Sequence, residues 1–308
     1  MLQKSLQILN HRNFILSLSL ILGFVLGEKT QILADYSVWI LALVMIFATS
    51  GFAFSDWKPW TRTLGQIGHA FFLNYIVFGL LLIGSGYLLF SDKMMVAGLI
   101  LLAVSPPGPS VVPFTAVMKG DLKYAVSGVF GLHLLAILVT PFALIFLLGK
   151  SAISPEAVVI IMAKVIVGPL IISRFLRHKK ILPRVEKMRG HFINWGFFLV
   201  VMPIVGLSKN LILSNPAYLW YNIIIFTVLM FGGGLVFNLI SKALKNSTGR
   251  IIASNLMFTT KSSAFAAVAS FTLLPRETAL PAAVHAIFVT VYFIVYDGLV
   301  KRKKQLPD

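Results

Sequence analysis

One lysine lies in the most polar part of a long apolar stretch of this chain. Residues 255–263 read NLMFTTKSS inside an apolar run at 251–272, and Lys261 is the charged residue among them. Its polar neighbours are Asn255, Thr259, Thr260, Ser262 and Ser263. An ammonium group away from water is costly unless it loses its proton or meets an anion. This combination predicts a buried site for an anion.

A second unusual stretch is rich in proline. Residues 105–113 read SPPGPSVVP inside an apolar run at 94–118. Each proline removes a backbone donor and clashes with the preceding turn, so we predict half-helices at 94–104 and 110–118 around an unwound centre. Freed backbone groups are tolerated at membrane depth only inside protein or beside a watery cavity, as in the binding sites of transporters. A single helix kinked by proline is the alternative.

Two serines are placed to begin the second half of each interrupted helix. Ser110 and Ser262 are predicted N-caps, because a serine hydroxyl accepts from the free N–H groups of a first turn. Two half-helix N-termini that meet inside the protein would present N–H groups and positive dipole ends to an anion. The alternative is close helix packing through small residues.

The elements that position these stretches follow from composition. The 308 residues are 58% hydrophobic and only 12% charged, against about 25% charged in soluble domains, which predicts an all-α polytopic membrane protein. There is no cysteine, so thiolate catalysis and cysteine-ligated metals are excluded. We expect no cofactor, no metal site and no enzymatic activity. The predicted spans are 14–27, 36–54, 66–90, 94–118, 122–149, 155–174, 191–207, 217–241, 251–272 and 279–299.

The positive charge is distributed unequally between alternate connections. Most of the 27 Lys and Arg residues fall on one set, and the other set holds Lys29, Lys93, Lys150, Lys209 and Arg276. This asymmetry predicts ten spans in the cell membrane, inner or plasma, with both termini cytoplasmic. The net charge of +17 therefore reflects the orientation of the chain in the membrane, and it also attracts the protein to anionic lipid. We expect no nucleic-acid partner.

The spans divide into two sets of five. Because five is odd, a second set related to the first must cross in the opposite orientation, as an inverted repeat. We predict that residues 1–174 hold the first repeat plus the sixth span, 175–190 a basic cytoplasmic connection, and 191–308 the remainder of the second repeat. The proline-rich and polar interruptions then fall at matching fourth and ninth spans.

Other titratable groups inside the spans are few. No acidic residue lies near the centre of a predicted span, although ion-coupled pumps commonly use one. Lys164 lies midway along the sixth span, His133 in the fifth and His285 in the tenth. Lys261, Lys164 and His133 are candidates for a proton or charge role. Snorkelling of the lysine and ordinary packing of the histidines are the alternatives.

Several of these stretches resemble a known family. Ser105-Pro106-Pro107-Gly108 through Lys119-Gly120-Asp121 is similar to the CPGG…T-x-x-x-KGD signature of the bile acid/sodium symporter family, and Arg250-Ile251-Ile252-Ala253 resembles the start of its ninth helix. The resemblance implies ten helices in two inverted five-helix repeats. It implies a panel domain (spans 1, 2, 6 and 7) and a core domain (spans 3–5 and 8–10). Broken helices 4 and 9 would cross at the midplane, and organic anions would move with sodium.

The sodium ligands implied by that resemblance do not carry over. The family's ligand positions fall on Val111, Val112, Ala125, Val129, Asn255 and Thr259. Valine and alanine supply no oxygen for sodium, and the ammonium of Lys261 is a candidate for the place of a bound cation. The predicted substrate site comprises Pro106, Gly108, Ser110, Asn255, Thr259, Thr260, Lys261, Ser262 and Ser263.

We therefore predict a secondary transporter that moves a small or medium organic anion by alternating access and is not sodium-coupled at the usual site. The driving force would be the substrate gradient, exchange, or a proton carried by Lys261. One alternative is a sodium symporter with a relocated ion site. Another is a membrane sensor or scaffold that does not transport.

Overall fold

The computed structural model describes residues 12–149 and 153–305, which are mainly helical and contain no strand. Lys4 and Lys150, which contribute to the predicted charge asymmetry, and residues 306–308 lie outside the described residues. The first half contains α1 (Phe14–Asp35), α2 (Ser37–Ser50), α3 (Trp60–Leu89), α4a (Lys93–Val104), α4b (Val111–Val117) and α5 (Leu122–Leu148). The second half contains α6 (Pro155–Leu176), α7 (Leu182–Ser214), α8 (Pro216–Ala243), α9a (Thr248–Thr259), α9b (Ser263–Leu273) and α10 (Leu280–Gln305).

Every predicted apolar span coincides with one of these helices or interrupted pairs. Seven helices in the described residues are long and apolar enough to cross a membrane: α1, α3, α5, α6, α7, α8 and the helix at Arg276–Lys301. The others fall short because α2 has 14 residues and the fourth and ninth spans are interrupted. The prediction of an all-α polytopic membrane protein is confirmed.

The helices pack in two groups. In the four-helix group (α1, α2, α6 and α7), α7 packs along α1 and α2, and α6 packs against α2. In the six-helix group (α3, α4, α5, α8, α9 and α10), α9a lies against α3, α5 and α8, whereas α10 contacts α4a and α9b. The groups touch where α7 meets α9b and α10 and where α5 meets α6. Both interrupted helices therefore belong to the six-helix group.

Three of the long helices contain a stretch of π-helix. These stretches are Phe72–Phe78 in α3, Ala163–Val167 in α6 and Thr227–Gly232 in α8. A π turn inserts one residue into a helix and redirects the side chains around it, and it occurs frequently at functional sites. Asn74 and Lys164 both lie in such stretches.

The predicted basic connection is shorter than the sequence indicated. Helix α6 ends at Leu176 and α7 begins at Leu182, so most of residues 175–190 is the first part of α7. Apolarity set the predicted boundary near residue 191, whereas the backbone is already helical in the polar turns before it. Arg174 in the last turn of α6 and Arg177 just after it donate to the carbonyl oxygens of Thr49, Ser50 and Phe52, at and just beyond the C-terminal end of α2.

Candidate functional site

The two helix interruptions contact each other directly. The chain is non-helical between Val104 and Val111 and between Thr259 and Ser263, as the proline-rich and polar sequences predict. The backbone N–H of Ser262 donates to the carbonyl oxygen of Pro106 at 2.8 Å. A Cβ atom added to Gly108 would lie 3.3 Å from the carbonyl oxygen of Lys261. The two interruptions therefore approach each other closely at a position where glycine has no side chain.

The ammonium of Lys261 is enclosed by protein oxygen atoms and an aromatic face. The residue is 1% exposed. Its Nζ donates to Asn74 Oδ1 at 2.8 Å and to the carbonyl oxygen of Ser105 at 3.1 Å, and it lies 4.3 Å from the centroid of the Tyr75 ring. The ion pairs of the described residues, Asp121 with Arg250 and Asp297 with Lys301, do not include it. Partial negative charges, not a carboxylate, therefore surround this ammonium.

Asn74 links α3 to the second interruption. Its Nδ2 donates to the carbonyl oxygens of Met257 and Thr260 at 2.8 and 3.0 Å, while its Oδ1 accepts from Lys261. One amide thus satisfies backbone groups at the end of α9a and holds the lysine. Sequence reasoning missed this residue, although an amide inside the apolar run LNYIVF was the available signal.

Asn255 and Thr259 form a separate polar network on the other side of α9a. The amide nitrogen of Asn255 donates to the carbonyl oxygen of Gly234 at 2.8 Å, and its Oδ1 accepts from the hydroxyl of Tyr292. Thr259 Oγ1 donates to the backbone carbonyl of Asn255 at 2.9 Å. Both residues are fully buried, and sequence reasoning did not single out Tyr292. Protein groups therefore satisfy the amide of Asn255, which stands at one of the sodium-ligand positions that the resemblance implies.

The predicted N-caps differ from each other. Ser262 Oγ accepts from the N–H of Phe265 at 3.3 Å, which confirms the cap of α9b. Ser110 stands at the N-cap position of α4b, but its side chain makes no capping bond, so that part of the prediction is wrong. Its backbone is helical, whereas a serine that caps a first turn typically has an extended backbone. Ser263 Oγ instead pairs with His285 Nδ1 at 2.7 Å.

Four of the sodium-ligand positions that the resemblance implies have apolar side chains. Val111, Ala125 and Val129 are buried in the apolar core, and Val112 packs against its edge. None of these four side chains has an oxygen to offer. Thr260, beside Lys261, is fully buried and its hydroxyl has no hydrogen-bond partner among the described residues.

The outer ends of the interrupted helices are joined by the residues that carried the resemblance. Asp121 Oδ2 lies 3.7 Å from a guanidinium nitrogen of Arg250, and the Asp121 N–H donates to the carbonyl oxygen of Gly249 at 2.8 Å. The Arg250 guanidinium lies 3.5 Å from the centroid of the Tyr124 ring. A Cβ atom at Gly120 would come within 2.9 Å of Ile252, so the signature glycine allows this contact. The beginnings of α5 and α9a are thereby fastened together.

Two cavities reach the first interruption. A small one of about 60 Å³ lies between Gly108, Ser110, Lys261 and Ser262 on one side and Phe197 of α7 on the other. A larger one of about 630 Å³ also includes Ser110 and extends to Gly51 and Arg189 between the two helix groups. His133 lines the larger cavity and lies 2.7 Å, through Nδ1, from the carbonyl oxygen of Val129. The larger cavity therefore reaches the first interruption from the end of the molecule that holds Gly51 and Arg189.

Lys164 is not part of this site. Its side chain is exposed, its Nζ lies 5.3 Å from the Trp39 ring centroid, and it lines a third cavity near the opposite end. The structure brings the predicted residues of the fourth and ninth spans together and leaves Lys164 apart from them, whereas His133 lines the larger cavity that Ser110 also lines.

Interrupted apolar helices that touch within a multi-pass membrane protein are typical of secondary transporters. A comparison with protein families matches residues 38–215 to the Sodium Bile acid symporter family. The chain belongs to this family, which confirms the resemblance seen in the sequence. The members of the family are transporters, so the expectation that this chain is not an enzyme is also confirmed. No curated protein matches the chain.

Proposed function

We propose that this protein transports a small or medium organic anion by alternating access, without sodium at the family's usual site. The observation that carries the proposal is the ammonium of Lys261 between Asn74 Oδ1 and the carbonyl oxygen of Ser105. Oxygen atoms that converge on a buried point beside a helix break are what a bound cation requires. Here the chain supplies the cation itself.

A fixed ammonium also opposes a sodium ion nearby. Two unit charges 4 Å apart repel by about 4 kcal/mol at an effective dielectric constant of about 20. The loss of side-chain oxygens at Val111, Val112, Ala125 and Val129 acts in the same direction. Both features favour a site whose positive charge is supplied by the chain itself and not by a bound sodium ion.

The anion would bind at the N-termini of α4b and α9b. The small cavity is lined by Gly108 and Ser110 before α4b and by Ser262 and Ser263 at the start of α9b, where the positive end of the helix dipole favours negative charge. Pro106, Ser110, Thr260 and Ser263 complete the proposed substrate site, with Asn255 and Thr259 supporting it through the network to Tyr292. The Nζ of Lys261 points to Asn74 and Tyr75, so its contribution would be the electrostatic field and not direct contact.

The movement would carry the six-helix group against the four-helix group, as core against panel. The packing of the helices supports this division, because both interruptions lie in the six-helix group and the cavities lie between the groups. Ten spans in two inverted repeats, with helices 4 and 9 crossing at the midplane, account for the matched interruptions and for the matched π stretches of α3 and α8. The large cavity extends toward the end predicted to be cytoplasmic, as expected of an inward-facing state.

The test is uptake into liposomes that contain the purified protein, screened with a panel of radiolabelled carboxylates and sulfonates. We expect uptake of a preferred anion to continue when choline replaces sodium on both sides. Uptake that requires sodium would overturn the proposal and favour a relocated ion site, for which the unpartnered hydroxyl of Thr260 is the candidate ligand. Uptake is also measured with a proton gradient imposed in the absence of sodium. Faster uptake along that gradient would indicate proton coupling at Lys261, and unchanged uptake would indicate exchange or uniport.

A further inference from the structure

A third cavity, of about 490 Å³, lies at the end of the molecule opposite to Arg189 and shares no lining residue with the cavities at the helix interruptions. Both helix groups contribute to its wall. Asp35, Trp39 and Lys164 come from the four-helix group, whereas Thr272 and Arg276 come from the end of α9b and the turn after it. The remainder of the wall is largely apolar, with Val38, Ile160, Ile161, Leu207 and Phe271.

The charged residues of this wall do not neutralise one another. Lys164 and Arg276 are exposed in the cavity, and neither belongs to an ion pair of the described residues. The one acidic residue, Asp35, accepts a hydrogen bond from Gln31 Nε2 at 2.6 Å. Two cations and one carboxylate leave an excess of positive charge in a concave, partly apolar space, which focuses an attractive field on anions.

Lys164 is held in place by its local structure. It lies in the π stretch Ala163–Val167, where the inserted residue changes the direction of the side chains along α6. The ring of Trp39 lies under its ammonium at 5.3 Å, which favours a defined position for the charge over a freely moving one. The lysine that looked like a buried charge in the sequence is therefore presented to a cavity.

We propose that this cavity, named here the Lys164 vestibule, is a second binding site for organic anions, separate from the helix interruptions. Lys164 and Arg276 attract a carboxylate, sulfonate or phosphate group, and the apolar wall accepts the body that bears it. The inference extends beyond the transport proposal, because it concerns binding at a separate cavity and is tested without transport.

The chain has no cysteine, so one introduced thiol reports on the vestibule alone. Thr272→Cys is purified in a neutral detergent, and its modification rates by an anionic and a cationic methanethiosulfonate of similar size are compared with those of a small free thiol. We expect the ratio of the anionic to the cationic modification rate to be about tenfold higher for Thr272→Cys than for the free thiol, because the nearby cations attract the anionic reagent. Lys164→Gln together with Arg276→Gln should abolish that preference.

The matched control is Lys209→Gln, which removes a cation near the same end that does not line the vestibule. It should leave the preference unchanged. Millimolar p-toluenesulfonate should slow the modification of Thr272→Cys in the parent background and not in the double variant. Equal rates for the two reagents, or a preference that survives the double substitution, would overturn the proposal.

The same chemistry is present in a lipid headgroup, so the rates are also measured in vesicles of phosphatidylcholine with and without phosphatidylglycerol. We expect p-toluenesulfonate to protect the thiol in both. Protection by phosphatidylglycerol with no effect of the soluble sulfonate would overturn a site for soluble anions and assign the charges to lipid. Thermal melting of each variant confirms that the exposed substitutions leave the fold intact.

Discussion

The Nζ of Lys261 lies 2.8 Å from the Oδ1 of Asn74, across a sequence separation of 187 residues. The same amide donates to the carbonyl oxygens of Met257 and Thr260, which the interruption of helix 9 leaves without partners in a helix. A single side chain on α3 therefore holds both the charge and the free backbone of the second interruption. The charge in turn is bound to the first interruption through Ser105.

Replacing Asn74 by leucine should destabilise the protein strongly. The change removes three hydrogen bonds, so that two buried carbonyl oxygens lose a donor and the ammonium keeps only the carbonyl oxygen of Ser105 as acceptor. Each unsatisfied buried group costs about 1–3 kcal/mol. The matched control is Asn222→Leu, which is also fully buried but makes one hydrogen bond, to the carbonyl oxygen of Tyr218. Thermal melting in detergent should show a much larger fall for Asn74→Leu. An equal fall for both variants would contradict a central role for Asn74.

Removal of the Lys261 side chain should make the protein sensitive to added cations. In Lys261→Ala, Asn74 Oδ1 and the Ser105 carbonyl face a space that a small cation can enter, and a ligand that binds only the folded state raises its stability. We expect methylammonium or sodium to raise the melting temperature of Lys261→Ala and to leave the parent protein unchanged. Lys164→Ala serves as the control for loss of a charge elsewhere. A parent protein stabilised by sodium would show that an ion site has been retained.

The helix interruptions were predictable because their causes are local. Four prolines and a glycine in 105–113 stop a helix whatever surrounds them, and the polar run at 255–263 is unlike the rest of its span. The contacts of Lys261 were not predictable in the same way. Asn74 and Tyr75 lie in another helix, and their direction depends on the π stretch Phe72–Phe78, which inserts a residue without a recognisable sequence signal.

The polar network around Asn255 shows a similar limit. The sequence indicated that Asn255 stands at a ligand position of the family, but not that Tyr292 and Gly234 would satisfy its amide. Likewise, the sequence placed Lys164 inside a span, and only the packing of the two helix groups reveals that a cavity lies beside it. Residue types gave the candidates, whereas their partners depend on tertiary structure.

Adding one methyl group where the interruptions meet should be costly. In Gly108→Ala the new Cβ would lie 3.2 Å from Ser110 Oγ and 3.3 Å from the carbonyl oxygen of Lys261, so the Ser110 side chain and the backbone at Lys261 must each move by a few tenths of an ångström. Overpacking of this kind costs about 1–3 kcal/mol. Gly84→Ala is the control, because a Cβ atom added at Gly84 meets nothing within 4 Å. Gly84 lies inside helix α3, where alanine is more stable than glycine. Gly84→Ala should melt at or above the parent temperature, and equal losses would refute a tight contact at Gly108.

The proposed orientation can be tested with two single cysteines in the otherwise cysteine-free chain. Ala116 lines the large cavity near the end that holds most of the basic connections, whereas Thr272 lines the Lys164 vestibule at the other end. We expect a membrane-impermeant maleimide to label Thr272→Cys in intact cells and Ala116→Cys only after permeabilisation. Labelling in the reverse order would invert the topology. Labelling of both residues from outside would instead show that the large cavity opens to the cell exterior, because an inward-facing cavity excludes a reagent that cannot cross the bilayer.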